Sequence, residues 1–145
     1  MADTYTRILI HCVFSTKNRL PLIAEPERLW SYLRGIARNR GVDALAIGGT
    51  RDHVHMLLAF PSGLAMAQLV RDLKANSSRH LNEKQRGFAW QDGHAAISVS
   101  PSQVDTVRRY IAEQPAHHAK WSFEREYVAI LNKSGIEHSP EYTLG

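Results

Sequence analysis

The chain has 145 residues, of which 43% are hydrophobic and 22% charged, which suits one globular domain with a single core over residues 1–145. No apolar run reaches the length of a membrane span and the first residues lack the apolar stretch of a signal peptide, so we expect a soluble cytoplasmic protein with no membrane partner. The single cysteine, Cys12, excludes an internal disulfide and a cysteine-based zinc site, and the net charge of +4 favours an anionic partner such as nucleic acid. Basic residues spread over a small domain are also an ordinary solvated surface, so the charge alone does not prove nucleic-acid binding.

The first part of the chain predicts a strand, a helix and a second strand. Apolar residues alternate over Tyr5–Phe14, which is typical of a strand, and a basic loop, Lys17–Arg19, follows. Pro26–Arg40 carries apolar residues at helical spacing, with proline at a first-turn position and glycine after its end. Val42–Ile47 then predicts a short strand, and the glycines after it indicate a hairpin to the next strand.

The stretch from Gly48 to Phe60, GGTRDHVHMLLAF, contains two histidines two residues apart in a predicted strand. Side chains alternate across a strand, so His53 and His55 leave the same face. The opposite face, which is apolar enough to be a core, carries Val54, Met56, Leu58 and Phe60. Two neutral imidazoles on a rigid strand can bind a divalent metal if a third ligand comes from elsewhere. The alternative is a pair of surface histidines that only form hydrogen bonds or take up protons.

The middle of the chain completes an α+β pattern. A helix that Ser62 could cap carries its inner stripe from Met66 to Leu81, Asn82–Asp92 predicts a loop, and alternating apolar residues at 95, 97 and 99 predict a fourth strand. The order β-α-β-β-α-β matches a ferredoxin-like (RRM-like) antiparallel sheet with both helices on one face. We therefore expect the histidines to face the open side of the sheet.

Two further helices are predicted after the fourth strand. Ser102 can cap the first, whose apolar stripe includes Ile111, and the last begins near Ser122 and continues until Gly135, before a tail over residues 136–145. Tyr110 and Gln114 are four residues apart in the first of these helices and so share a face.

Tyr110 and Gln114 could supply a phenol nucleophile and an amide-oxygen ligand to one metal ion. Making a phenolate at neutral pH costs roughly 4 kcal/mol, because the phenol pKa is about 10, and a nearby divalent cation would lower that cost. The same ion would polarise a phosphodiester and stabilise the leaving oxygen. The alternative is that Tyr110 is an amphipathic residue at the rim of the helix with no chemical role.

Several ordered segments resemble the single-tyrosine HUH transposases of bacterial insertion sequences, including domesticated relatives that act on repetitive palindromes. The matching segments span nearly the whole chain: FSTKNRLPLI, GGTRDHVHMLLAFP, LKANSSRHLN, FAWQDGHAAISVS, VRRYIAEQPAHH and SFEREYVAILNKSGIEHSPEYT. A lone His-x-His is a weak signal, whereas this ordered set is highly specific.

The resemblance implies that His53, His55 and Gln114 bind Mg²⁺ or Mn²⁺ and that Tyr110 forms a 5′-phosphotyrosine with single-stranded DNA recognised through hairpins. It also implies a homodimer in which the tyrosine helix of one subunit can complete the metal site of the other. The sequence departs from the family pattern at His94 and Ile97, where relatives usually carry aromatic residues. Pro115 also departs from it, and a proline there predicts either a simple helix end or a hinge.

Six basic residues are candidates for contacts to DNA phosphates, although each is also an ordinary solvated charge: Lys17, Arg19, Lys74, Arg79, Arg108 and Arg109. Two other functions stay open at this point. A ferredoxin-like sheet can present a non-catalytic surface to single-stranded nucleic acid. A replication or conjugation relaxase would share the histidine pair and the tyrosine, but its usual extra domains have no room in this chain.

Overall fold

The computed structural model describes residues 3–138 as four strands, five α-helices and two short 3₁₀ turns. The strands are β1 (Ile8–Ser15), β2 (Asp43–Gly49), β3 (His53–Phe60) and β4 (Ala95–Ser98), and the α-helices are α1 (Pro26–Asn39), α2 (Met66–Asn82), α3 (Val104–Ala112), α4 (Gln114–His117) and α5 (Phe123–Lys133). The predicted tail over residues 136–145 lies outside the described residues from position 139 onward.

The four strands form one antiparallel sheet in the order β2-β3-β1-β4. β1 pairs with β3 from Ile8 opposite Phe60 to Ser15 opposite His53, and β2 joins β3 through the expected hairpin. The predicted ferredoxin-like order is confirmed.

The main core lies between one face of the sheet and the helices α1 and α2. Cys12, Phe14, Val54, Met56 and Leu58 point into it from the two central strands and are almost fully buried. They alternate along each strand with the residues of the other face, as a pleated strand requires. The single cysteine, Cys12, is a free thiol buried in this core.

The other face of the sheet is covered rather than open, so the expectation of an exposed histidine face is wrong. Val13 and Ala95 on that face pack against Phe123 and Leu131 of α5 in a second, smaller hydrophobic cluster. An apolar sheet face is stabilised by removing it from water, and the C-terminal helices provide the cover. The histidine pair is therefore buried between the sheet and these helices.

Two helix starts differ from the sequence expectation. Neither Ser62 nor Ser102 caps a helix: α2 begins at Met66 after a turn that contains Gly63, and α3 begins at Val104 after a 3₁₀ turn. Glycine has a low helix propensity, which favours the later start of α2. By contrast, α5 begins next to Ser122 as expected, and Ser122 caps it by accepting a hydrogen bond from the Arg125 amide.

Within the described residues 3–138, we find no helix whose length and hydropathy would let it span a membrane.

Candidate active site

The two histidines of β3 lie at the base of the site. His53 and His55 leave the same sheet face, and both side chains are completely buried. The ring of Phe123, the first residue of α5, stacks on the His53 ring at 4.4 Å between centroids. The two imidazoles are therefore held in fixed positions and are screened from bulk water.

One ring nitrogen of His53 is fixed by the loop that precedes β3. Nδ1 lies 2.8 Å from Asp52 Oδ1 and 3.1 Å from Thr50 Oγ1. Because a carboxylate only accepts hydrogen bonds, Nδ1 carries the proton and donates to Asp52. In neutral His53 the other nitrogen, Nε2, then presents a lone pair to the site, which is the arrangement that metal-binding histidines use.

The amide of Gln114 can be oriented from its partners. Its Nε2 donates to Glu126 Oε2 at 2.8 Å, so its Oε1 faces His53 Nε2, also at 2.8 Å. With the proton of His53 on Nδ1, two lone pairs face each other across this contact. A bound cation would resolve the conflict by accepting both, and this is the observation that best supports a metal ion between His53 and Gln114.

His55 is oriented by His11, a residue that sequence reasoning left without a role. His55 Nδ1 lies 2.9 Å from His11 Nε2, and His55 Nε2 lies 3.1 Å from Glu126 Oε1. Burial lowers the pKa of His55 to about 4, although Glu126 opposes the shift, and burial followed by the charge of His55 lowers the pKa of His11 to about 3. Both imidazoles are therefore neutral at neutral pH, the state in which histidine binds metals.

Glu126 of α5 is the residue on which the whole site converges, and sequence reasoning missed it. Its buried carboxylate accepts hydrogen bonds from Tyr110, Gln114 and His55, and it lies 2.9 Å from His118 Nε2. Burial alone would raise the pKa of Glu126, but the hydrogen bonds from its neighbours hold that pKa well below its ordinary range. The carboxylate is therefore ionised and carries a negative charge into the centre of the site.

Tyr110 lies in the same site and in the same chain. Its hydroxyl donates to Glu126 Oε2, and its ring is 5.6 Å from the His55 ring and 6.0 Å from the His11 ring. Burial, followed by the hydrogen bond and charge of Glu126, raises the pKa of Tyr110 above its ordinary value. In this arrangement the phenol is thus kept protonated.

The predicted single helix through Tyr110 and Gln114 is wrong, and the helix-end alternative is confirmed. α3 ends at Ala112, Glu113 leaves the α conformation, and Gln114 opens the separate helix α4 with Pro115 in its first turn. Proline has no amide hydrogen and disfavours helical geometry at the preceding residue, which accounts for the break. Gln114 still reaches the site, because the break turns its side chain onto His53 and Glu126.

Two overlapping groups of side chains have the geometry of a metal site. His53, His55 and Glu126 offer ligand atoms within 4.8 Å of one another, and so do His117, His118 and Glu126. Together with the Gln114 oxygen, the first group presents two imidazole nitrogens and two oxygens, a mixed set that a divalent cation accepts. The side chains present therefore fit a divalent metal.

The predicted DNA-contact residues are scattered over the structure. Arg108 and Arg109 are exposed on α3 beside Tyr110, and Lys17 and Arg79 are exposed elsewhere. By contrast, Arg19 pairs with Glu124 of α5.

Lys74 is engaged within the protein itself. It is half-buried and donates to the backbone carbonyls of Gln91 and Gly93 at 2.8 and 2.7 Å. A lysine held in this way stabilises the segment that leads into β4. The roles of all six basic residues in DNA binding stay predictions.

Comparisons with known proteins place the chain among transposases. Residues 4–114 match the family model described as "Transposase IS200 like". The ISDra2 transposase TnpA of Deinococcus radiodurans is 27% identical over 114 residues, which cover 72% of this chain and 81% of the relative.

Two solved structures share the fold. One is the crystal structure of a protein from Deinococcus radiodurans R1 assigned as a transposase, with a TM-score of 0.61, 24% identity, and coverage of 79% of this chain and 95% of the other. The second is a REP-associated tyrosine transposase bound to a REP hairpin, with a TM-score of 0.63, 16% identity, and coverage of 84% and 74%. The family match spans most of the chain and includes both histidines, Tyr110 and Gln114, and the chain therefore belongs to the IS200-like transposase family.

Proposed function

We propose that this transposase cuts and rejoins single-stranded DNA with Tyr110 as the nucleophile. The observation that carries the proposal is the convergence of Tyr110, His55, Gln114 and His118 on the buried carboxylate of Glu126, with His53 in contact with Gln114. A phenol beside two imidazoles and two oxygen ligands is a set of groups that suits metal-assisted phosphoryl transfer.

His53, His55 and Gln114 are the proposed ligands of a divalent cation, Mg²⁺ or Mn²⁺, and Glu126 is placed to join them. When bound, the cation polarises the phosphodiester and stabilises charge on the leaving oxygen. Asp52 and His11 hold the two imidazoles in orientation through their other ring nitrogens. Asp52 in this way fixes the tautomer of His53, whereas His55 can bind the cation through Nε2 only after that nitrogen gives up the proton that it shares with Glu126.

Tyr110 Oη attacks the phosphorus, and the bond from phosphorus to the 3′ oxygen breaks. The product is a 5′-phosphotyrosine and a strand that ends in a 3′-hydroxyl. Glu126 Oε2 already accepts the phenolic hydrogen bond and is the atom placed to pass that proton on to solvent, while the departing 3′ oxygen takes a proton from water. The ester keeps the energy of the phosphodiester bond, so attack by a 3′-hydroxyl reverses the step and rejoins the strand.

The proposed substrate is single-stranded DNA that carries hairpins, encountered in the cytoplasm. Support comes from the solved relative with the REP hairpin, which also favours a second candidate function, a domesticated endonuclease that acts on repetitive palindromes. Both candidates use the same chemistry. Palindromes flanking an intact mobile element would favour the transposase, and dispersed palindromes without such an element would favour the endonuclease.

Cleavage of a labelled, hairpin-bearing oligonucleotide with Mg²⁺ or Mn²⁺ tests the chemistry. Tyr110→Phe should bind the oligonucleotide without cutting it, whereas Tyr127→Phe, in the α5 core cluster, should still cut. Full cleavage by Tyr110→Phe would exclude it as the nucleophile. Loss of DNA binding in both variants would indicate a folding defect, and circular dichroism tests for that defect separately.

Metal titration by calorimetry tests the ligands. His53→Ala and His55→Ala should lose metal binding and cleavage, while Gln114→Ala should have a milder effect, because Glu126 lies at the same centre. Unchanged metal affinity in both histidine variants would show that His53 and His55 are not metal ligands and have only a structural role.

We also propose a homodimer, as the family resemblance implies. Within the described chain Tyr110 contacts its own Glu126, which supports a site that works in cis rather than one completed by the partner. Mixing Tyr110→Phe with His53→Ala chains, after subunit exchange, separates the two arrangements. Recovered cleavage requires a site that combines the two chains, and no recovery in verified heterodimers supports the cis arrangement.

A further inference from the structure

A cleft of about 550 Å³ leads from the surface to Tyr110 and Glu126. It lies between β4, α3 and α5, and its walls are formed largely by apolar side chains, among them Ile97, Val107 and Ile130. Because Tyr110 lines this cleft, a ligand seated there is in contact with the proposed nucleophile. Its position makes it a candidate for binding part of the substrate.

Trp121 forms one end of this wall and is the most exposed tryptophan. It is 40% exposed, whereas Trp30 and Trp90 are 7% and 8% exposed and belong to the main core. Trp121 therefore presents ring surface to solvent beside the cleft, which the two core tryptophans do not.

The neighbours of Trp121 make a stacked aromatic and cationic arrangement. The His117 ring lies almost parallel to it, at 9° and 6.1 Å between centroids, and the Arg125 guanidinium lies 3.8 Å from its ring centroid. His117 in turn packs against Tyr110 with ring centroids 5.7 Å apart. The row of rings thus runs from the solvent to the nucleophile.

We propose that this cleft binds an unpaired nucleobase next to the scissile phosphate, with the base stacked on Trp121. The proposal rests on the proposed function, because it assigns the substrate of the same site. A base presents flat π-faces to apolar walls, and stacking on an aromatic ring does not depend on its sequence.

The charges at the cleft also suit single-stranded DNA. Lys133 lines the cleft, and the exposed Arg125 guanidinium covers one face of Trp121, so a base that stacks on that face displaces it. Both cations can then neutralise phosphates next to the bound base. Glu126 lies at the inner end, where the phosphate approaches the metal ligands. The bases of a duplex are paired and cannot stack against the side chains of the cleft, so the cleft selects an unpaired nucleotide.

Tryptophan fluorescence tests the stacking directly, without any cleavage. Single-stranded oligonucleotide is titrated into wild-type protein in EDTA, and stacking of a base on Trp121 should quench its emission. The quenching should persist in Trp30→Phe, whose altered ring is in the core, and disappear in Trp121→Phe. Trp121→Ala should lose roughly tenfold or more in affinity, while Trp121→Phe, which keeps a stacking ring, should lose much less.

An abasic substitution moved along the oligonucleotide locates the base. At the position beside the cleavage site it should weaken binding to the wild type and leave binding to Trp121→Ala unchanged, because the two changes remove the same contact. If the abasic substitution lowered the affinity of the wild type and of Trp121→Ala equally at every position, the proposal would be overturned. Quenching that persists in Trp121→Phe would also overturn it. A shift of Trp121→Ala to a smaller oligomer would also overturn it, by assigning the cleft to a second copy of the chain.

These outcomes separate the cleft from the proposed chemistry. Quenching at Trp121 without cleavage at Tyr110 would support the cleft and refute the nucleophile. Cleavage at Tyr110 without any stacking at Trp121 would support Tyr110 as the nucleophile and refute base binding in the cleft.

Discussion

Replacing Glu126 with alanine should be the most damaging single change at the site. The truncation removes the acceptor of Gln114 Nε2 and of His55 Nε2, and both of these side chains are completely buried. An unsatisfied buried polar group costs about 1–3 kcal/mol, so two of them predict a loss of roughly 2–6 kcal/mol in the free energy of unfolding. Tyr110 and His118 are partly exposed and can turn to water, so they add little.

Urea denaturation followed by circular dichroism measures this loss, and Glu124→Ala is the matched control. Glu124 lies two residues away on the same helix and pairs with Arg19 at the surface, where an ion pair contributes about 0–1 kcal/mol. Equal losses of stability in the two variants would refute the reasoning, because Glu126 would then act as an ordinary surface carboxylate. Calorimetric titration of Glu126→Gln with Mn²⁺ separately measures its part in metal binding.

Three further predictions follow from the geometry. His11→Ala should weaken metal binding by about 10- to 100-fold, with partial rescue in His11→Gln, because His11 orients His55; calorimetry at constant pH measures both. His55 has a lower pKa in the folded protein than in the unfolded chain, so acidification favours the unfolded chain, which binds the extra proton. Between pH 7 and pH 5 this effect should lower the free energy of unfolding by about 2 kcal/mol, and a rise in stability over that range would contradict it. Gly48→Ala should destabilise the fold by about 1–3 kcal/mol, because the added methyl group would meet the Ile111 carbonyl oxygen at 2.5 Å. The control Gly35→Ala in α1, whose methyl group meets nothing within 4 Å, should stabilise the helix slightly, and thermal unfolding compares the two variants.

Much of the fold could be predicted from local patterns. Alternation in β1 and β3 and helical spacing in α1, α2 and α5 identify the elements, because each buries one apolar face. The cover over the second sheet face could not be predicted in the same way. This cover depends on which surface α5 packs against. The apolar stripe of α5 shows only which side of the helix is buried, and not what it is buried against.

The site divides in the same way. The histidine pair and Tyr110 stand out because of their spacing and context, and the structure brings them together. Glu126 is in sequence an ordinary charged residue of an amphipathic helix, and only its placement over β3 brings it within 3.1 Å of His55 Nε2. His11 carried a detectable signal, because the alternation of β1 puts it on the face that also bears the histidines.

The break between Tyr110 and Gln114 shows how local chemistry and tertiary contacts combine. Pro115 predicts the end of α3, but it does not predict where Gln114 points after the break. Two hydrogen bonds, to Glu126 and toward His53, determine that orientation.

Mass spectrometry of the covalent protein–DNA adduct tests the central claim most directly. After reaction with the oligonucleotide, nuclease and trypsin digestion should leave the nucleotide on the peptide of residues 110–120, which follows Arg109, ends at Lys120 and contains Tyr110 as its single tyrosine. We predict a 5′-linked nucleotide on this peptide and on none that carries the other four of the five tyrosines. An adduct on a different tyrosine, or strand cleavage without any adduct, would contradict the assignment of Tyr110 as the nucleophile.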